Sequence, residues 1–130
     1  MGNTNEELVR KGYDAFSAGD MDTLRSIMKP DIVQHVPGDN QVAGTFEGVD
    51  AVLASYAETF ELSGGTFSVD LQSVDAVGDN RVDSVHKGTA TRGDKTYAGT
   101  TTLGFTIEDG LIARIDEKPH DQAVEDVFWG

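Results

Sequence analysis

After Gly65 the chain changes its period. Residues 66–77, 81–91, 96–108 and 111–117 are rich in Val, Thr, Ile and Phe, and the breaks between them are Gly78-Asp79-Asn80, Gly93-Asp94-Lys95 and Asp109-Gly110. β-Branched and aromatic residues fit a pleated surface, whereas Gly, Asn and Asp are the residues of tight turns. The second half therefore predicts an antiparallel meander with one apolar face that another layer must cover.

The first half supplies that layer. Thr4 and Glu7 have capping-box spacing, and Leu8, Val9, Gly12, Tyr13 and Phe16 follow with helical period until Ala18-Gly19, which predicts a helix over about 5–18. Asp20 or Asp22 caps a second, short helix carrying Met21, Leu24, Ile27 and Met28, ended by Lys29-Pro30. Residues 31–37 read as a short strand, and the loop with Gly38, Asp39, Asn40 and Gly44 flanks a pocket. Val49, Val52, Leu53, Tyr56, Ala57 and Phe60 form one stripe of a third helix that stops before Gly64-Gly65. Three helices followed by a sheet, with no repeat and no linker, predict a single α+β domain over residues 1–130.

Composition removes several functions. A net charge of −13 repels phosphate backbones and anionic lipid, and the basic residues are scattered singly, so neither nucleic acid nor membrane is an expected partner. No run approaches the ~18 apolar residues of a membrane span, and Met1-Gly2-Asn3-Thr4-Asn5-Glu6 lacks a signal-peptide core and a myristoylation pattern. The expected location is cytoplasmic. The absence of cysteine excludes disulfides, thiolate nucleophiles and cysteine-held metals, which leaves histidines, carboxylates and hydroxyls for chemistry. The Asp-rich acidity suits a high-salt habitat as well as it suits an ordinary acidic protein.

Strand alternation sorts side chains onto two faces. In 82–91, Asp83 and Lys87 mark the solvent side, so Val82, Ser84, His86 and Ala90 point inward. In the last strand Glu117 shares a face with Leu111, Ala113 and Ile115, opposite Ile112, Arg114 and Asp116. Tyr97, Thr101, Leu103, Phe105 and Ile107 form another inward row, with room for a ligand near Gly99. In 31–37 both faces are equally apolar, and pattern alone does not orient His35.

The segments Phe16-Ser17-Ala18-Gly19-Asp20, Asp31-Ile32-Val33-Gln34-His35-Val36-Pro37-Gly38 and Glu108-Asp109-Gly110-Leu111-Ile112, in this element order, carry a likeness over nearly the whole chain. It resembles the nuclear-transport-factor-2-like superfamily, in the SnoaL-like and ketosteroid-isomerase-like branch. The resemblance implies a cystatin-like architecture: a cone-shaped, curved mixed or antiparallel sheet around the three helices, an apolar pocket at the open end, and a homodimer through the outer face. It also aligns His35 with the proton-shuttling aspartate of ketosteroid isomerases, which favours His35 as an inward general base. The isomerase's oxyanion tyrosine is replaced by Gly12, with Tyr13 beside it, and its acidic partner by Leu103. SnoaL-like polyketide cyclases, by contrast, imply Asp121, next to His120, as the acid–base residue.

The resulting candidates are His35, Asp121, Glu117 and His86 for catalysis, and Tyr13, Tyr56, Tyr97, Phe105 and Trp129 for a ligand pocket. A neutral imidazole can take a proton next to a carbonyl near working pH, and a buried carboxylate needs a partner such as His86. Each of these also has a structural reading, as a hydrogen-bonded core histidine, a His–Glu pair or a solvated aspartate. His35, His86 and Glu117 would make a two-His-one-carboxylate set, but they lack short ligand spacing, so no metal is expected. No phosphate loop or dinucleotide fingerprint occurs, so no cofactor is expected. The chain reads as a small-molecule-binding domain, as a cofactor-free isomerase or cyclase acting on an apolar, oxygen-bearing substrate. The alternative is a non-catalytic ligand-binding or dimerisation module. The dimer expectation rests on an outer sheet face with threonines, Val85, Ala98 and Ile112.

Overall fold

In the computed structural model, which describes residues 4–130, the two periods of the sequence become helices α1 (Thr4–Ala18), α2 (Met21–Ile27), α3 (Val49–Leu62) and α4 (Gln122–Trp129) and strands β1 (Met28–Val36), β2 (Gly44–Glu47), β3 (Ser68–Gly78), β4 (Arg81–Arg92), β5 (Lys95–Glu108) and β6 (Leu111–Pro119). Met1-Gly2-Asn3, on which part of the no-anchor reading rests, lies outside the described residues. Among the described residues no helix is long and apolar enough to cross a membrane.

The corner between the first two helices follows from its residues. Gly19 takes a φ of 69°, which a side-chain-free residue adopts without strain, and Asp20 N–H bonds back to Ala15 O at 2.8 Å. Asp20 then caps α2, accepting from Thr23 N at 3.1 Å and Thr23 Oγ1 at 2.6 Å. The second helix is shorter than expected, because Pro30 forces its predecessor toward extended backbone and Met28 already has φ −108° and ψ 143°. Strand β1 therefore starts at Met28, and Pro30, which has no N–H, sits where the β1–β6 register is interrupted between Met28 and Val33.

The six strands are ordered β2-β1-β6-β5-β4-β3, with β1 parallel to β6 and all other neighbours antiparallel. Register shifts bend this sheet around α1 and α3. They also move side chains between faces. The shift opposite Thr106/Ile107 puts Ile112 on the inner side at 2% exposure, where simple alternation had placed it outside with Arg114. Ile112 thus belongs to the core and not to an outer dimer face.

Two further elements escape the sequence pattern. Strand β2 is only four residues long and pairs with β1 through His35 and Thr45. The tail forms α4, whose Phe128 and Trp129 are buried with Ala90 and Tyr97 in a second core cluster at the mouth of the cone. The architecture is α+β and cystatin-like as expected, with four helices in place of three.

Candidate functional site

Between the inner face of the sheet and α1, α3 and α4 lies a cavity of about 130 Å3. A single water needs ~10–15 Å3 of such space, so the cavity holds a molecule of roughly ten non-hydrogen atoms. Its walls are mainly apolar. Phe16, Phe67 and Trp129 form one continuous aromatic side, with ring centroids 6.0 Å apart for Phe16–Phe67 and 5.8 Å for Phe67–Trp129. No Lys or Arg among the described residues lines it.

Polar groups enter this apolar space in three sets. The first joins α1 to β4: the Tyr13 hydroxyl lies 2.7 Å from both Ser84 Oγ and His86 Nδ1. Burial raises the Tyr13 pKa, keeping the phenol protonated, and lowers that of His86 to about 4, keeping the imidazole neutral at pH 7. With Ser84 O–H donating to Tyr13 and Tyr13 O–H donating to Nδ1, the ring proton sits on Nε2; with both donations reversed it sits on Nδ1. Among the described residues no buried side-chain nitrogen or oxygen lacks a partner, so with Nδ1 occupied, Nε2 is the ring nitrogen that His86 offers to the cavity.

The second set crosses from α3 to β1 and β6. Tyr56 O–H donates to Gln34 Oε1 at 2.5 Å, and Gln34 Nε2 donates to Glu117 Oε2 at 3.2 Å. Burial of its carboxyl is the main cause that pushes Glu117 up to about 7, against the bond from Gln34; the nearby Glu125 adds to the rise. The third set is Tyr97 with Glu125, a pair whose pKa values are both raised, mainly by burial.

A carboxyl that titrates near neutrality, a neutral imidazole N–H and an apolar body are the parts of a proton-transfer site. The geometry alone says what the cavity can do, and the sequence decides its family. Residues 9–115 match the SnoaL-like domain. The chain belongs to the SnoaL-like family.

An uncharacterized protein of Mycobacterium tuberculosis is 35% identical to this SnoaL-like chain over 123 residues, 95% of this chain and 94% of its own length. Among solved structures, Bal32a from a soil-derived mobile gene cassette shares 34% identity with a TM-score of 0.95, covering 98% of this chain and 97% of that one. A protein of unknown function with a cystatin-like fold from Xanthomonas campestris shares 29% identity with a TM-score of 0.90, over 97% of this chain and 98% of that one. The expected nuclear-transport-factor-2-like superfamily and its SnoaL-like branch are thus correct.

Of the residues expected in the site, His86, Glu117, Tyr13, Tyr56, Tyr97, Phe105 and Trp129 all line the cavity of this SnoaL-like domain. His35 does not. Ile32 and Gln34 take the inward positions of β1, so alternation turns His35 outward, where Nδ1 meets Thr45 Oγ1 at 2.9 Å on the exposed side. The inward base implied by the isomerase alignment is corrected accordingly, and His35, His86 and Glu117 do not converge on a metal. Asp121 is also outside the cavity: it is exposed at the start of α4, and its neighbour His120 bonds Thr102 Oγ1 at 2.9 Å.

Gln34 and Glu125 were missed. Gln34 was readable as a polar residue between Ile32 and Val36 on one face, and Glu125 as the residue one helical turn before Trp129, had the tail been read as helix.

Proposed function

We propose that this SnoaL-like domain is a cofactor-free acid–base enzyme that isomerises or cyclises a small apolar molecule bearing a carbonyl oxygen. The observation that carries this reading is Glu117, a carboxyl bonded by Gln34 in a mainly apolar cavity, whose burial pushes its pKa up to about 7. In the reaction the Glu117 carboxylate takes a proton from the carbon next to the carbonyl, and the electron pair of that C–H bond moves toward the oxygen. His86 Nε2–H donates a hydrogen bond to the developing enolate, as a neutral imidazole does without giving up its proton. Where the substrate carries a β,γ double bond, the Glu117 carboxylic acid returns the proton to the γ-carbon of the conjugated enolate; where the enolate carbon instead attacks a second carbonyl within the same molecule, the acid gives the proton to the alkoxide that this forms, and in both cases the carboxylate is restored.

The probe for this chemistry is 2-tetralone, an apolar two-ring ketone of the size of the cavity. In D2O the wild-type protein accelerates exchange of its α-hydrogens, followed by proton NMR, and Glu117→Gln abolishes the acceleration. Binding of 2-tetralone without any accelerated exchange would instead favour the non-catalytic ligand-binding module.

The reading includes a homodimer through the outer sheet face, resting on outward Val85, Ala98, Thr89, Thr91, Thr100 and Thr102. Sedimentation equilibrium at micromolar concentration tests it, and a monomer there removes the dimer from the proposal.

A further inference from the structure

Glu125 is a half-buried carboxyl lining the cavity that the proposed proton transfer leaves unused. It stands on the inner side of α4, one turn before Trp129, with the Tyr97 hydroxyl as its partner. Space for the pair is made by Gly99. A Cβ at that position would lie 2.6 Å from the Tyr97 hydroxyl oxygen and 2.9 Å from Glu125 Oε2, closer than a side chain tolerates. Position 99 thus holds open the room in which these two groups meet.

The helix carrying Glu125 is tied down along the residues that follow it. Asp126 accepts from Asp39 N at 3.0 Å and Asn40 Nδ2 at 2.8 Å, and the Arg92 guanidinium donates to Phe128 O at 2.6 Å. These ties fix the direction of the carboxyl. A phenol supplies one hydrogen and a carboxylate accepts several, so acceptor capacity remains on Glu125 after Tyr97 is bonded. No cationic side chain among the described residues lines the cavity to use it.

We infer that Tyr97 and Glu125 form a second anchor in the cavity, which selects ligands carrying a hydroxyl at the end opposite the reacting carbonyl. The ligand class is a hydroxylated cyclic ketone of about two rings. Its length follows from the sheet: Gly99 lies four residues along β5 from Leu103, the register partner of Glu117. At ~3.3 Å per residue the two ends are ~13 Å apart along the strand, a span that side chains reaching in from both ends shorten toward a two-ring molecule. An apolar residue in place of Glu125 would accept a plain hydrocarbon end as readily. A carboxylate there instead leaves an acceptor without a partner whenever the ligand lacks a donor.

The inference rests on the proposed function for the position of the reacting carbonyl, and its test separates the two. Dissociation constants of 2-tetralone and 6-hydroxy-2-tetralone are measured by calorimetry for the wild type, Glu125→Leu and Tyr97→Phe. The hydroxylated probe is expected to bind the wild type about tenfold more tightly, and Glu125→Leu to remove that ratio. Tyr97→Phe, which keeps the ring and frees Glu125, keeps the ratio above one and serves if Glu125→Leu does not fold. Equal affinities in the wild type, or a ratio that survives Glu125→Leu, overturn the second anchor and leave the exchange chemistry at Glu117 standing. Failure of the wild type to bind either probe overturns both.

Discussion

Gln34 bridges Tyr56 and Glu117 and turns its amide NH2 toward the carboxyl. Tyr56, which stays protonated, donates to the Gln34 carbonyl oxygen at 2.5 Å, and the amide NH2 faces Glu117 at 3.2 Å. That bond favours the ionised carboxylate and opposes the burial that raises its pKa. Gln34→Leu removes it. The pH at which α-hydrogen exchange of 2-tetralone switches on is expected to move above the wild-type value of about 7. An unchanged inflection in the pH profile would show that Gln34 does not tune the base.

Glu117 and His86 also set opposing pH slopes on stability. Glu117 is raised from 4.5 to about 7, so the folded state holds a proton that the unfolded chain has released, and stability falls as pH rises through this window. His86 is lowered from 6.5 to about 4, so the unfolded chain takes up the extra proton, and stability rises with pH between those values. Each contribution amounts to about 3 kcal/mol, and the two nearly cancel between 4.5 and 6.5. Glu117→Gln uncovers the His86 slope. Relative to wild type, this variant is expected to gain about 3 kcal/mol between pH 5 and pH 8 in urea unfolding.

The inward rows of β4 and β5 were legible because charged residues on one face leave only the other for the core: Asp83 and Lys87 point Val82, Ser84 and His86 inside. Glu117 was legible for the same reason. Ile112 was not, since a register shift of one residue reverses the face and leaves no mark in composition. His35 shows the limit of alignment to a family site. With Val33 and Pro37 as apolar as Ile32 and Val36, only pairing decides its direction, opposite Asp116 of β6 and Thr45 of β2; the first is a parallel pairing distant in sequence and the second belongs to a strand too short to be seen as a period. Helix α4 was hidden because Glu125 and Asp126 break an apolar stripe that consists of little more than Phe128 and Trp129.

Tyr13 links a helix to the sheet through Ser84 and His86, 71 and 73 residues away. Tyr13→Phe keeps the ring packing but leaves a buried Ser84 hydroxyl and His86 Nδ1 without their partner. The expected loss is about 1–3 kcal/mol in chemical denaturation. Ser84→Ala leaves the Tyr13–His86 bond in place and costs less. A Tyr13→Phe variant as stable as the wild type would mean that water replaces the phenol, and that this wall of the cavity is wet.

Asp126 is the latch by which α4 holds the loop at the mouth of the cone. Its Oδ1 accepts from Asp39 N, from Asn40 Nδ2 and from Gln122 Nε2 at 3.0, 2.8 and 3.0 Å, and these bonds hold its pKa below the ordinary range. Because its lowered pKa belongs to the folded state, the latch is complete above the ordinary carboxylate range and weakens as pH falls through the lowered value. Asp126→Ala releases the loop while the aromatic seating of Phe128 and Trp129 on Tyr97 stays intact. Local opening is therefore expected without global unfolding. Amide exchange at Asp39 accelerates, 2-tetralone enters and leaves faster, and the melting transition moves little. If Asp39 exchange stays at the wild-type rate, the loop is held by Gln41, whose N–H bonds Trp129 O at 3.0 Å, and the entrance is governed by the backbone.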